Sequence, residues 1–375
     1  MPAPLESFLS SWSVWILAAS WQLALLGVVV WALCRIFPAM PLRLRYALWL
    51  VVLIKAFLPP TLGAPWGFGS WGVEPVRDLA ASVLHLHMNP IEAWHAEVHN
   101  PAELGIVRQE LPAWFSSFKP VAPWVALALC AVWLLGLLGG LAGILAEQGR
   151  LAWMLSRARI VESGPLADAL VRRAKAVGVR APRLLLCRET DEPFLCGLFR
   201  PAIVLPAGLP GDLSAEALDS VLDHELIHLR RGDLLACWAE ALLGCLFWFH
   251  PVAWLVQARL DEEREFAVDE AAARLSRPSR YGRALLETAL ACARQRTGQG
   301  VACGFLGWAG AANGPDDLLA RRIRRVTELP EREPPASIFG SYATVAVFAL
   351  VFVPLGPVSE ATAAAPPPSV AVSQP

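Results

Sequence analysis

The sequence predicts an α-helical polytopic membrane protein of about four spans, with a mixed α+β domain between the third and fourth span. Hydrophobic residues make up 55% of the 375 residues and charged residues only 17%, whereas a soluble domain carries about 25% charged residues. Long uncharged runs recur along the chain. Between them, residues 147–335 hold 25 basic and 25 acidic residues, which is typical of a solvated globular surface.

The spans follow from hydropathy, because crossing a bilayer takes about 20 apolar residues. Spans one, three and four are assigned to the uncharged runs 7–34, 120–146 and 336–359. Residues 46–62 form a weaker second span that Lys55 interrupts, and a lysine near a helix end can extend to the interface. Four spans place residues 35–45 and 147–335 on the same side of the membrane.

Charge sets the predicted orientation. The turn at 35–45 carries Arg35, Arg43 and Arg45 and no acid, whereas residues 59–120 carry six acids against three basic residues. The positive-inside rule therefore places the turn and the 147–335 domain in the cytoplasm, and the 63–119 loop outside. The Ala/Pro-rich tail 360–375 is predicted to be a disordered extracytoplasmic segment. The formal net charge of −1 gives no sign of a nucleic-acid partner.

The first elements of the 147–335 domain are short. Residues 166–177 have helical spacing, and Gly178 closes the helix. Residues 183–187 are predicted as a strand. A second strand is expected at Ala202, Ile203, Val204 and Leu205, and we interpret it as an edge strand because prolines bracket it.

The helix that follows carries the chemistry. Ser214 is its expected N-cap, and Gly232 is the expected stop after Arg231. The helix contains the HExxH motif, whose histidines His224 and His228 share one face because they are four residues apart. Histidine nitrogens suit zinc, and a glutamate beside the pair, here Glu225, can accept a proton from water that the metal activates. The sequence therefore predicts one catalytic Zn²⁺ with Glu225 as general base.

A third ligand is required, because a catalytic zinc keeps three protein ligands and one open position. Residues 261–270 form an acidic run with helical character after a break at His250-Pro251. We expect Glu265 to be the ligand and Asp269, four residues later on the same face, to support a ligating histidine. Glu262, Glu263 and Glu270 are interpreted as a solvated face.

These residues resemble a known family. HELIHLRRGD and EREFAVDEA, together with RLRYALWLVVL, PFLCGLFRPAIVLP and FWFHPVAW, are similar to the BlaR/MecR-type antibiotic-sensor membrane metallopeptidases. The resemblance covers most of residues 10–330. It implies a multi-pass protein of the bacterial inner membrane with a gluzincin-like domain in the cytoplasm. In that domain zinc would be held by His224, His228 and Glu265. It also implies that Ala202 to Leu205 pair with an extended protein substrate.

The resemblance further implies a partner. In the family, proteolysis leads to loss of a DNA-binding repressor, so a repressor substrate is a hypothesis. The antibiotic sensors continue into an extracellular penicillin-binding domain after the fourth span, whereas here only residues 360–375 follow it; direct β-lactam sensing is therefore not expected. The oligomeric state stays open, with a homodimer possible. The alternative function is a non-proteolytic signalling protein with structural zinc.

Two further segments are interpreted from composition. The arginines before the last predicted span are expected to contact anionic lipid; they are Arg321, Arg322, Arg324 and Arg325. The apolar run 241–249 is too short to span a bilayer. It is either a buried core helix or a helix apposed to the membrane, and the sequence leaves both open.

Overall fold

The computed structural model describes residues 3–59, 123–295, 315–329 and 348–349. Contacts within the chain group Met1–Phe57 and Pro123–Ala346 into one compact unit, which carries every feature considered below. The predicted 63–119 loop and the 360–375 tail lie outside the described residues, as does nearly all of the predicted fourth span, 336–359.

The described part is mostly helical, with one small sheet. The helices are α1 (Ala3–Ile36), α2 (Leu42–Phe57), α3 (Pro123–Arg157), α4 (Pro165–Val177), α5 (Leu209–Asp212), α6 (Ala215–Arg231), α7 (Asp233–Leu246), α8 (Pro251–Ser276), α9 (Pro278–Gln295) and α10 (Pro315–Thr327). The strands are β1 (Arg159–Ile160), β2 (Arg183–Cys187), β3 (Phe194–Cys196) and β4 (Ala202–Pro206).

Two helices of the described part, α1 and α3, are long and apolar enough to cross a membrane. They contain most of predicted spans one and three. Helix α2 has only 16 residues, fewer than the roughly 20 that a span requires, so its assignment as the second span stays a prediction. It is packed by its neighbours: Trp49 and Val52 are buried, and α2 packs against α1, α7 and α8.

The sheet corrects one prediction. Its strand order is β1-β2-β4-β3, with β4 parallel to β2 and antiparallel to β3. Residues Ala202 to Leu205 are thus in a central, fully buried strand, and the interpretation as an edge strand is wrong. The flanking prolines do not interrupt the ladder, because Pro201 contributes its carbonyl, which accepts a hydrogen bond from Arg183 N at 3.1 Å. The edge next to β4 is β3.

Alternate side chains of β4 enter two cores on opposite faces of the sheet, as the strand period requires. Ile203 and Leu205 pack with the apolar sides of α4, α6 and α8. Ala202 and Val204 pack instead with the end of α3 around Met154. Burying a side chain such as Ile203 stabilises the fold by about 1.5–3 kcal/mol. The sheet therefore fixes the motif helix on one face and the last turns of the apolar helix α3 on the other.

Helix α7, which contains much of the ambiguous apolar run, lies between α3 and the domain. Trp133 of α3 donates from Nε1 to the carbonyl of Leu246 at 2.9 Å. A Cβ added at Gly136 would lie 2.2 Å from the ring of Trp248, so only glycine permits this approach. On its other side α7 packs against α8, where Gln257 Nε2 donates to the carbonyl of Glu240 at 2.6 Å.

Helix α8 is held by long-range ion pairs. Glu263 is fully buried and pairs with Arg45 of α2. Arg264 is nearly buried and donates to Glu240 of α7 at 2.7 Å. The prediction of a solvated face is therefore wrong for Glu263, because α2 covers that side of α8. These pairs fix the helix that supplies the candidate third metal ligand.

Candidate metal centre

The motif helix α6 begins and ends where the sequence predicts. Ser214 is its N-cap, and the hydroxyl accepts a hydrogen bond from Ala217 N at 3.2 Å. The helix ends at Gly232, whose φ of 74° is left-handed and therefore favours glycine. Between these ends His224 and His228 lie on one face, and their Nε2 atoms are 3.1 Å apart.

Glu265 completes a candidate metal site with the two histidines. Its Oε2 lies 3.4 Å from His224 Nε2, and its Oε1 lies 3.6 Å from His228 Nε2. Ligands about 2.0–2.1 Å from a tetrahedral zinc would be about 3.3 Å apart, so the three separations fit one ion of that size. The side chains are only 13–22% exposed, which leaves a narrow opening to solvent.

Each histidine contacts a different carboxylate through Nδ1, the ring nitrogen that faces away from the metal site. His228 Nδ1 donates to Asp233 Oδ2 at 2.8 Å. His224 Nδ1 lies 2.9 Å from the Tyr281 hydroxyl and 3.3 Å from Asp269 Oδ1. Tyr281 in turn donates to Asp269 at 2.7 Å, so its oxygen can accept the Nδ1 proton. Both Nε2 lone pairs then face the ligand set, as a metal requires.

Arg322 neutralises the acidic side of the site. Its guanidinium donates two hydrogen bonds of 2.8 Å to Asp269, and Nη1 lies 3.1 Å from Glu265 Oε2. The prediction that Arg322 contacts lipid is therefore wrong. Helical spacing explains the inward direction: Val326, one turn later on α10, is buried on the same face.

The pKa of the carboxyl ligand Glu265 and the pKa of the candidate base Glu225 are shifted in opposite directions. Burial opposes ionisation of Glu265 and Asp269, but the charge of Arg322 and the interactions with the motif histidines together outweigh it and lower the pKa of both carboxyls. Glu225 is 6% exposed, and burial raises the pKa of its carboxyl. Burial opposes protonation of His224, yet its hydrogen bonds with Asp269 and Glu265 raise its pKa to about 10. Glu225 is thus the carboxyl of this group most disposed to take up a proton.

The structure brings together His224, Glu225, His228, Glu265 and Asp269, and it leaves Ala202 to Leu205 in the sheet interior. Sequence reasoning missed three contributors, Asp233, Tyr281 and Arg322. A signal existed for Asp233, which directly follows the helix stop Gly232. The Arg322 to Val326 spacing was a second signal. Tyr281 gave none, because a single tyrosine in the first turn of α9 has no distinctive spacing.

Asp233 also joins the site to α2. The hydroxyl of Tyr46 lies 3.5 Å from Asp233 Oδ1. Arg231 donates from Nε to Asp233 Oδ2 at 3.1 Å, and its guanidinium lies 4.8 Å from the centre of the Tyr46 ring. The residue that orients His228 is therefore itself positioned by one of the N-terminal helices.

A metal-binding helix motif in a chain with apolar helices of membrane-spanning length indicates a membrane-associated metallopeptidase. The sequence model of the BlaR1 peptidase M56 family matches residues 14–306, and the chain belongs to that family. That family comprises membrane metallopeptidases of the BlaR/MecR kind, as the resemblance of the motifs implied.

Individual relatives are distant. The regulatory protein BlaR1 of Bacillus licheniformis is 29% identical over 144 residues, which are 38% of this chain and 24% of that protein. The methicillin resistance mecR1 protein of Staphylococcus aureus is 26% identical over 27% of this chain and 18% of its own length. A protease HtpX homolog of Thermococcus kodakarensis is 28% identical over 36% of this chain and 61% of that protein. The match thus spans a quarter or less of the BlaR1 and mecR1 proteins.

Proposed function

We propose that the protein is a zinc endopeptidase that hydrolyses peptide bonds of a protein substrate at the cytoplasmic face of the bacterial inner membrane. The observation that carries the proposal is the meeting of His224, His228 and Glu265 at separations of 3.1–3.6 Å, with Glu225 on the same helix. The gluzincin-like assignment rests on the same pattern: the third ligand is a glutamate from a later helix.

The roles of the side chains follow from their contacts. His224, His228 and Glu265 would hold zinc, which when bound polarises the scissile carbonyl and lowers the pKa of water. Glu225 accepts the proton of the attacking water and passes it to the leaving amine. Asp233 keeps the Nδ1 proton of His228 in place, and Asp269 does the same for His224 through Tyr281.

The substrate would bind as an extended strand along β3. This strand is the sheet edge beside β4, and it also packs against the motif helix α6. Its outward N–H and C=O groups can form a ladder with a peptide, which brings a scissile bond toward α6. The substrate strand expected at Ala202 to Leu205 is thus reassigned to Phe194–Cys196.

The membrane arrangement and the partner belong to the same proposal. Four spans with the domain in the cytoplasm agree with the arginines of the turn at 35–45. The relatives are named as regulatory and methicillin resistance proteins, which supports a signalling role in which a cytoplasmic repressor is cleaved. Quantitative proteomics of the native host, comparing wild type with Glu225→Ala, would identify substrates that accumulate in the variant. A repressor processed equally in both strains would reject that partner.

The Glu225→Gln variant tests the enzymatic step. We expect one zinc per chain in both proteins and loss of cleavage by at least about 100-fold in the variant, the usual range of general-base catalysis. The matched control is Glu216→Gln, an exposed glutamate in the first turn of the same helix, which should cleave normally. Undiminished cleavage by Glu225→Gln would contradict the proposal. Signalling that survives without any cleavage would favour the alternative of structural zinc.

A further inference from the structure

A polar cavity is lined by residues other than those of the metal centre. It has a volume of about 520 Å³ and is bordered by the turn after α1, the start of α2, α8 and α10. Four arginines and two glutamates contribute to its wall, so its charge is positive. The arginines are Arg45, Arg321, Arg324 and Arg325.

The positive charge of this cavity is only partly compensated within the chain. Arg45 pairs with the buried Glu263, and Arg321 pairs with Glu262. Arg325 has its guanidinium 5.1 Å from the centre of the Phe266 ring, and burial lowers its pKa. Arg324 is exposed and its side chain contacts no acid in the described ranges. Two guanidinium groups that converge on one cavity are thus available to an anion.

The position of the cavity indicates where the anion would come from. Pro38, in the turn that follows the apolar helix α1, forms part of its wall. The neighbouring side chains Ile36 and Phe37 are 67% and 55% exposed. A helix of membrane-spanning length that ends in exposed apolar groups beside arginines is typical of the level of lipid headgroups.

We propose that this cavity binds a phosphate-bearing anion through Arg324 and Arg325, either the headgroup of an anionic phospholipid or a soluble phosphate. Binding would link α10 to α8 and to the turn after α1, because these three segments form the wall. Arg322, on the inner face of α10, holds Glu265 and Asp269. An occupied cavity therefore keeps this arginine at the metal centre.

Calorimetric titration of the full-length protein in neutral detergent tests the binding. The probes are short-chain phosphatidylglycerol, short-chain phosphatidylcholine and inorganic phosphate. We expect phosphatidylglycerol to bind in preference to phosphatidylcholine. Arg324→Gln/Arg325→Gln should weaken binding about 30-fold, the effect of two arginines near a headgroup. The matched control is Arg280→Gln/Arg283→Gln, which removes two exposed arginines of α9 and should bind like wild type.

The outcomes separate the sources of the anion. Binding of phosphatidylglycerol alone assigns the site to lipid, whereas inorganic phosphate that binds and competes with it assigns the site to phosphate in general. No binding, equal binding of both lipids, or unchanged affinity of the double variant would overturn the proposal. Arg324→Gln alone, at an exposed position, provides the test should the double variant fail to fold.

A second readout examines the link to the metal centre. Phosphatidylglycerol should slow zinc loss to a chelator in wild type, and this protection should be lost in Arg324→Gln/Arg325→Gln. Equal rates of zinc loss with and without the lipid would contradict the link. Both readouts are independent of peptide hydrolysis, so a failure of the proposed peptidase function leaves the test of this anion site intact.

Discussion

The two motif histidines present the same atom to the metal site, but different parts of the chain orient them. Asp233 follows the motif helix directly and fixes His228. Asp269, Tyr281 and Arg322 come from three later helices and fix His224. Such outer partners set the tautomer and direction of a ligand before the metal arrives. The affinity for zinc should therefore depend on residues that never touch it.

Replacing Asp233 with Ala tests this dependence. Without the carboxylate, His228 can rotate or carry its proton on Nε2, and we expect zinc affinity to fall about 10–100-fold. Competition with a chromogenic chelator measures the change. Asp219→Ala is the matched control, because Asp219 lies on the outer side of α6 at 4.0 Å from Arg172. An equal loss of affinity in the control would show that the effect arises from helix stability instead.

For single residues, the sequence predicted those site residues that are recognised by spacing within one helix. The HExxH pair and Glu265 follow from spacing within single helices, since residues four apart share a face. Tyr281 and Arg322 reach the site only because α9 and α10 fold back on α8. The Arg322 to Val326 spacing predicts that Arg322 faces inward, but no spacing within a helix shows which site it reaches, so the contacts of both residues could be found only from the structure.

Among the elements, the neighbouring strands β3 and β4 have different positions in the sheet and therefore different roles. β4 is hydrogen-bonded on both sides and carries the core, whereas β3, of three residues, borders the motif helix. A short edge strand limits unwanted pairing with other chains. The same open side can still accept one extended peptide, and it is there that the proposed substrate would bind.

Proline substitutions on β3 distinguish its two sides. Neighbouring N–H groups of a strand point to opposite edges, so one of Phe194→Pro and Leu195→Pro removes a bond to β4 and the other removes an outward donor. We expect one variant to lose thermal stability, and the other to melt normally but to lose cleavage. Thermal melts and cleavage rates of the pair provide the measurement. Normal cleavage by the stable variant would exclude β3 as the substrate strand.

Helix boundaries were predicted closely, but strand order was not. Ser214 and Gly232 bound the motif helix as expected, because caps are encoded next to the helix they end. The prolines around β4 favoured an edge position, yet β3 precedes β4 in the chain and pairs with Ala202 to Val204, which lie between the two prolines. Pairing is non-local, and a local cue was therefore misleading.

In the part of the molecule that the structure describes, the N-terminal helices contact the helices of the metal centre. Arg45 of α2 pairs with Glu263 of α8, and Tyr46 of α2 approaches Asp233 of α7. The apolar helix α3 contacts the sheet core through Met154. The peptidase core thus uses apolar helices as part of its own packing.

Substitutions in the Arg45–Glu263 pair test how far the stability of the fold depends on these contacts. Arg45→Met leaves the fully buried Glu263 without a counter-charge, and we expect the free energy of unfolding to fall by about 3–5 kcal/mol. Replacing both residues with Met removes the charges together and should recover most of the loss. Denaturant unfolding of the full-length variants in detergent measures both values. A double variant as unstable as the single one would show that the charge is not the cause.

The same ion pair has a consequence for biogenesis. The ribosome releases α2 long before α8, so the cation is already in place when its acidic partner emerges. If α8 packed before α2, it would have to bury the Glu263 carboxylate without a counter-charge, which is strongly unfavourable. Translation order thus supplies the cation before the carboxylate that needs it, and we expect the helices of the candidate metal site to pack only after α2 has formed.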